Sequence, residues 1–122
     1  MTVQEAITQC DSMKPNQYED GLKIKWLGDV EGMVYDMAVN RKCPDISFHG
    51  FDSETDYERK LIAPDRYASL YVYYLMAMID FSNAETERYN NDMVMFNTAF
   101  TEFSNYWYFK YPQKSDGQIY NL

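Results

Sequence analysis

The chain of 122 residues is long enough for one domain that buries a hydrophobic core without disulfides or metals. Apolar residues make up 46% of the chain and aromatic residues 17%, a composition that excludes a disordered protein. The net charge of −8 argues against a nucleic-acid-binding surface, because such a surface needs Lys and Arg to neutralise phosphates.

The N-terminal residues predict a first helix over 3–13. Residues 2–5 (Thr-Val-Gln-Glu) form a capping box, and Pro15 ends the helix. The segment lacks the basic and apolar regions of a signal peptide. Cys10 and Cys43 lie far apart and form no Cys-x-x-Cys motif, which favours free thiols in a reducing cytosol.

A second helix is predicted over 17–40. Residues 16–19 (Asn-Gln-Tyr-Glu) repeat the capping pattern, and apolar side chains then recur at helical spacing. Gly28 and Gly32 are unfavourable inside a helix. Either they admit the close approach of another backbone, or the helix simply tolerates them.

Residues 41–64 show no sustained period and predict a long loop, which is uncommon in a compact domain and often functional. Its apolar side chains predict that it packs against the core. Residues 46–49 could pair weakly with 60–62 as a short ribbon. Acids occupy positions 1, 3 and 5 of a calcium loop at 52–56, but Tyr57 and Ala63 replace the Gly and Glu that an EF-hand requires. A solvated acidic segment, or weak cation binding, is therefore expected.

The third helix, over 65–82, is predicted to be the centre of the fold. From Leu70 to Ile79 it carries no charge, no Gly and no Pro, and it is apolar on nearly every face. Such a helix must be covered nearly all round. The apolar run is too short to cross a bilayer, which requires about 20 residues.

A fourth helix is predicted over 84–110, after either a third capping box at 82–85 or an irregularity in one long helix. Its aromatic and apolar residues follow a 3.5-residue period and predict a buried seam: Tyr89, Met93, Phe96, Phe100, Phe103 and Trp107. The expected fold is all-α, a compact bundle of about four helices within a single domain (1–111). The long 41–64 loop interrupts it, and a flexible polar tail (112–122) follows.

No motif for catalysis, cofactor binding or metal binding is present in the sequence. His49 is the only histidine, so any catalytic triad would have to use it, and no nucleophile-elbow motif accompanies it. There is no glycine-rich phosphate loop and no zinc-ligand spacing. We therefore expect that the protein is not an enzyme, has no cofactor and acts by binding other proteins.

Short motifs of packing residues recur across most of the chain. They are Lys14-Pro15-Asn16, Trp26-Leu27, Phe48-x-Gly50-Phe51-Asp52, Leu61-x-x-Pro64, Leu70-Tyr71-x-Tyr73-Tyr74-Leu75, Ile79-Asp80-x-x-Asn83, Arg88-Tyr89-Asn90 and Phe96-Asn97. In these motifs the chain resembles the small helical head–tail connector proteins (adaptor or head-completion proteins) of tailed phages and Gram-positive prophages.

The resemblance implies a structural virion protein made in the cytoplasm of the bacterial host and located in the neck of the particle. Its subunits would associate into a ring on the portal protein, contact tail-completion proteins, and line the channel through which DNA leaves. A net acidic channel lets DNA slide because it does not bind phosphates. Neither specific nucleic-acid binding nor membrane contact is expected.

Aromatic residues among charges are typical of a contact surface, so the loop and the tail are the predicted subunit and portal contacts. The candidate residues are Phe48, His49, Phe51, Tyr57, Ile119, Tyr120 and Leu122. Two other functions remain open. One is a small acidic phage-encoded inhibitor that mimics DNA, and the other is a cytosolic helical interaction module that dimerises through its fourth helix.

Overall fold

A computed structural model describes residues 1–39, 48–52 and 56–112. Within these ranges the chain forms four α-helices and no strand: α1 (Val3–Met13), α2 (Asp20–Val39), α3 (Ser69–Ser82) and α4 (Thr86–Lys110). The all-α fold predicted from the sequence is confirmed. Expectations for 40–47, 53–55 and 113–122, which include part of the long loop and most of the tail, lie outside the described residues.

Helix α1 begins with the predicted capping box. The Thr2 hydroxyl accepts a hydrogen bond from the Glu5 amide at 3.1 Å, and the Glu5 carboxylate accepts one from the Thr2 amide at 2.8 Å. Val3, Ala6, Ile7 and Cys10 form its buried face. Met13 follows Cys10 at helical spacing on the same face but is exposed.

Helix α2 begins three residues later than predicted, because the second capping box does not form. The Asn16 side chain instead accepts from the Tyr18 amide at 3.0 Å, which makes an Asx turn before the helix. Its amide group donates to Asp11 and to the carbonyl of Lys14, both at 2.9 Å. Asn16 therefore fixes the connection between α1 and α2 and does not cap α2.

A short 3₁₀ turn (Asp65–Tyr67) precedes α3, so the predicted third helix is divided at Ala68. No side chain from Leu70 to Asp80 is exposed, whereas each of the other helices has exposed residues in its interior. Helix α3 is therefore the most completely covered helix, as predicted. Helix α4 packs along α3, and α1 and α2 pack against α3 and against each other.

The predicted seam of α4 is confirmed. Phe96, Phe103 and Trp107 are buried, and Tyr89, Met93 and Phe100 are half-buried. Ring centroids of successive aromatics lie close together, at 5.7 Å for Phe96–Phe100 and 5.5 Å for Phe103–Trp107. Contacts at these separations stabilise the aromatic core beyond the burial of its area.

The turn between α3 and α4 is a Schellman motif. The Glu85 amide donates to the Asp80 carbonyl at 2.9 Å, and the Ala84 amide donates to the Phe81 carbonyl at 3.0 Å. Ala84 takes the left-handed conformation (φ 60°) that this motif requires and that usually falls to glycine. The segment 82–85 is thus neither a capping box nor a continuous helix, and α4 starts at Thr86.

Replacing Ala84 with glycine is expected to raise the free energy of unfolding by about 0.5–1 kcal/mol. The left-handed conformation costs an L-residue about 1–2 kcal/mol, of which the greater flexibility of unfolded glycine offsets part. Urea titration measures the change. Ala99→Gly, at a buried position in the interior of α4, is the matched control and should destabilise the protein, since there the same substitution weakens a helix and removes a packed methyl group. Equal effects at both positions would contradict the explanation.

The N-terminal residues pair with the segment that follows the long loop. Thr2 and Lys60 form an antiparallel bridge, the Val3 amide donates to the Arg59 carbonyl at 3.0 Å, and the Leu61 amide donates to the Met1 carbonyl at 2.9 Å. In the weakly predicted ribbon of 46–49 with 60–62, the Leu61 amide thus donates to Met1 and the Ile62 amide donates to Glu31, whereas residues 46 and 47 lie outside the described residues. The pairing brings the end of the loop against α1.

None of the helices in the described part of the chain is long and apolar enough to span a membrane.

Candidate functional site

Phe48 and Phe51 lie together on the surface of α2. Their rings make an edge-to-face contact with centroids 5.1 Å apart, and Phe48 also lies 6.2 Å from the ring of Tyr35. Gly50, between them, has a φ of 90°, a conformation that favours glycine. The turn at Gly50 therefore lets both rings reach the same helix, and both remain half-buried.

Gly28 and Gly32 lie on the surface of α2 that these rings contact. A Cβ atom at Gly28 would lie 3.6 Å from the Phe51 amide nitrogen, and one at Gly32 would lie 4.0 Å from the Phe48 ring. These are ordinary van der Waals distances, so alanine would fit at either position. Of the two interpretations of the glycine pair, simple tolerance is the one that the structure supports.

The residues around Asp56 hold Phe51 in place. Asp56 accepts from the Asp52 amide at 2.5 Å and pairs with Arg59 at 3.0 Å. The Arg59 guanidinium lies 5.5 Å from the centre of the Phe51 ring, a cation–π contact. Tyr57 donates from its hydroxyl to the Asp20 carboxylate, which ties the segment to the start of α2. Asp56 is thus a structural residue rather than part of a solvated acidic surface.

The structure brings three of the seven candidate contact residues against the body of the protein. Phe48, Phe51 and Tyr57 are half-buried near α2, and His49 is exposed at the turn between the two phenylalanines. Ile119, Tyr120 and Leu122 lie outside the described residues. We refer to Phe48, His49 and Phe51 together as the aromatic turn.

A buried carboxylate links α2, α3 and the segment before the 3₁₀ turn. Glu31 is 1% exposed; it accepts from the Tyr71 hydroxyl at 2.5 Å and from the Ile62 amide at 2.7 Å. Tyr71 in turn accepts from the Ala63 amide at 3.0 Å. Burial raises the pKa of Glu31 to about 7, although both hydrogen bonds lower it, and burial together with the Glu31 charge raises the pKa of Tyr71 well above its usual value.

A pair of carboxyl groups joins α3 and α4 near the end of α1. The buried Asp80 lies 3.1 Å from the Lys14 ammonium through an oxygen that makes no directed hydrogen bond to the described residues, so the contact is an ion pair alone. Burial, a hydrogen bond with Asp80 and the charge of Asp80 raise the pKa of Asp92 to about 7, and Lys14 and Arg88 oppose the shift. The carboxyl group of Asp92 therefore keeps its proton up to about pH 7 in the folded protein.

Replacing Asp92 with asparagine is expected to stabilise the protein by about 1 kcal/mol at pH 8 and not at pH 4. The folded pair keeps a proton that the unfolded chain releases above its ordinary pKa near 3.8, so this contribution to stability is lost as the pH rises from about 4 to 7. The side-chain amide of the introduced asparagine could donate to Asp80 at every pH. Urea unfolding at several pH values measures the difference.

Asp36→Asn, at an exposed position on α2, is the matched control for Asp92→Asn and should leave the pH dependence of the wild type unchanged. Parallel stability curves for the wild type and Asp92→Asn would show that the carboxyl pair holds no extra proton.

Lys23 is a third buried charge, only 2% exposed. Its ammonium donates to Asp11 at 2.8 Å and lies 4.0 Å from Asp20, so it connects α1 to the first turn of α2. Breaking such a pair leaves one charge buried without compensation, which is costly. These contacts indicate a structural role.

The sequence interpretation missed Lys23 and Glu31 as internal residues, although a signal was available. Both lie on the apolar stripe of α2 that runs through Leu27, Val34 and Ala38 at steps of three and four. A charge at such a position is buried with a partner. The partners, Asp11 and Tyr71, are far away in the sequence, so the spacing alone does not identify them.

The three buried polar clusters are suited to holding helices together rather than to catalysis. Cys10 is buried, and burial raises the pKa of its thiol to about 12, so the nucleophilic thiolate is suppressed. Within residues 1–39, 48–52 and 56–112, no group of three or more His, Cys, Asp or Glu side chains could hold a metal ion. A surface groove of about 720 Å³ runs along α1 beside Gln4, Thr8 and Ser12, and the charged groups in its lining include the Met1 ammonium and Asp65, which form an ion pair with each other.

Comparison of the chain with protein-family models, with curated proteins and with solved structures gives no match.

Proposed function

We propose that the protein is a head–tail connector subunit, a structural virion protein that joins the portal to the tail and lines the DNA exit channel as part of a ring. The proposal originates in the resemblance of its packing motifs to connector proteins. The observation that carries it further is that residues of these motifs make specific contacts between distant parts of the chain.

Two of these contacts fix the ends of the helices. Asn16 forms the turn before α2. Asn83, at the turn between α3 and α4, accepts from the Tyr18 hydroxyl at 2.6 Å and thereby links that turn to the connection between α1 and α2. The motifs thus include polar residues that determine how the helices are joined. A pattern of apolar residues alone would not specify these connections.

Other motif residues form the interior links and the aromatic turn. Tyr71 and Asp80 belong to the buried carboxylate clusters, and Gly50 has the positive φ that presents Phe48 and Phe51. A rigid helical body with a half-buried aromatic turn on one side is the kind of subunit that a ring on a portal requires. The net charge of −8 favours a channel that does not bind DNA.

Co-sedimentation with portal rings of the phage or prophage that encodes the chain tests the proposal. Wild-type protein is expected to pellet with the rings. Phe51→Ala and a truncation at Pro112 should pellet less, because the proposed contacts are the aromatic turn and the tail. If the wild type does not bind, the connector function is wrong.

Two further variants separate lost contact from lost folding. His49→Asp changes an exposed side chain of the aromatic turn and should weaken portal binding while the protein stays folded. Phe81→Ala removes an exposed phenylalanine away from that turn and should bind as the wild type does. Equal binding of all the variants would refute the assignment of the contacts and leave the function standing.

A further inference from the structure

The outward face of α4 carries a second period of 3.5 residues, opposite the buried seam. Asn91, Val94, Thr98, Thr101, Asn105 and Tyr108 follow one another at alternating steps of three and four, and all are exposed. We call this set, together with the adjacent exposed residues Met95, Glu102 and Phe109, the outer stripe. Among the exposed residues from Asn90 to Phe109, Glu102 is the only charged one. Depletion of charge on an exposed surface is typical of the core of a protein interface.

Large apolar side chains lie at both ends of the outer stripe. Val94 and Met95 are 61% and 46% exposed at one end, and Tyr108 and Phe109 are 41% and 89% exposed at the other. The two pairs are separated by 14 positions, or about 21 Å along the helix. Only polar side chains are exposed between them, so the stripe has two apolar ends and a polar middle.

The pattern reads nearly the same in both directions. About a centre between Thr101 and Glu102, Val94 is the counterpart of Phe109, Met95 of Tyr108 and Thr98 of Asn105. Two antiparallel copies would therefore place apolar ends against apolar ends and polar residues against polar residues. The central Glu102 of each copy would face the Thr101 hydroxyl of the other, which can donate to it.

We infer that the outer stripe of α4 is a two-fold self-association surface, which pairs antiparallel with the same stripe of a second copy of this chain. A parallel pair would place Glu102 against Glu102. A negatively charged partner finds no complementary charge on this surface, and a positively charged partner finds only Glu102. Over the rest of their surface, two copies that each carry −8 repel one another, so the nearly neutral stripe is the face on which they can approach.

The size of the surface makes this association weak. A contact about 26 Å long, the span from Asn91 to Tyr108, and about 10 Å wide buries roughly 260 Å² on each copy, well below the roughly 800 Å² per partner of a standard stable interface. The pair therefore forms at high protein concentration. The inference does not rest on the connector function, because the contacts proposed for the portal and the ring lie on the aromatic turn and the tail.

Disulfide crosslinking tests the orientation. In a Cys43→Ser background, in which Cys10 is buried, a Thr98→Cys protein is mixed with a mass-tagged Asn105→Cys protein and oxidised. The antiparallel pair predicts that the mixed 98–105 disulfide exceeds the two same-position disulfides. Dominant same-position disulfides would overturn the antiparallel arrangement. Yields no higher than for Gln9→Cys, an exposed position on α1, would overturn the surface itself.

Sedimentation equilibrium tests association without a crosslink. The average mass of the wild type should rise with concentration. It should remain that of the monomer for Val94→Asp, whereas Thr8→Asp, which adds the same charge on α1, should behave as the wild type does. A wild type that stays monomeric up to its solubility limit would refute the inference. Because Val94 is exposed, Val94→Asp should fold normally and still bind portal rings, so failure here and failure of the connector function are distinguishable.

Discussion

Replacing Phe103 with alanine is expected to lower the free energy of unfolding by about 3–5 kcal/mol. Phe103 is fully buried at the centre of the α4 seam, within 5.5 Å of the Trp107 ring and 6.2 Å of the Tyr67 ring, measured between centroids. The substitution removes these ring contacts and leaves a cavity that the neighbouring rigid aromatics cannot fill. Chemical denaturation followed by circular dichroism measures the loss.

Phe109→Ala is the matched control, since it makes the same chemical change on the outward side of the same helix. The Phe109 side chain is among the most exposed in the described chain, so its removal should change the free energy of unfolding by no more than about 0.5 kcal/mol. Similar losses for both variants would mean that the seam is not the interior of the protein.

The second large effect is expected for Tyr71→Phe, at about 2–4 kcal/mol of destabilisation. The substitution removes only a hydroxyl group, but that hydroxyl donates to Glu31 and accepts from the Ala63 amide. Both partners would be left buried without it. In the wild type the hydrogen bond from Tyr71 lowers the pKa of Glu31. Its loss in the variant is therefore expected to raise this pKa further, above about 7.

The pH dependence of Tyr71→Phe distinguishes a lost hydrogen bond from altered packing. Glu31 has a raised pKa in the folded state, so its contribution to stability is present below its ordinary pKa of 4.5 and is lost as the pH rises toward 7. The variant should continue to lose stability above pH 7. Tyr73→Phe, also on α3 and without a hydrogen bond to the described residues, should change stability little. A small, pH-independent effect of Tyr71→Phe would refute the role of the network.

Local signals in the sequence predicted much of the fold. The capping box at Thr2 needs only side chains three residues apart, and the seam of α4 needs only a period. The central position of α3 could be predicted because a helix without charged residues must be packed against other parts of the protein on every face. In each case the determining interaction is short-range or follows from burial alone.

The structure differs from the sequence predictions where a side chain or backbone group binds a partner that is distant in the sequence. Asn16 could cap α2 or form an Asx turn, and the choice depends on Asp11 and Lys14, to which its amide also donates. The segment 60–62 is paired with the N-terminus, and no local pattern in the sequence predicts that pairing. The candidate site was predicted only in part. The composition of the loop indicates which aromatic residues form a contact surface, whereas their position on α2 depends on the backbone conformation at Gly50.

The two tryptophans give the protein an optical probe in each half of its architecture. Trp26 lies on α2, with the Tyr18 ring 6.0 Å away, and Trp107 lies on α4, between Phe103 and Tyr111.

Helices α3 and α4 are joined by a short turn, and the entropy lost in closing so short a loop is small. The α3–α4 hairpin is therefore expected to form before α1 and α2 dock on it, since local contacts form fastest. Stopped-flow fluorescence of variants that retain one tryptophan would then show Trp107 reaching its native emission ahead of Trp26.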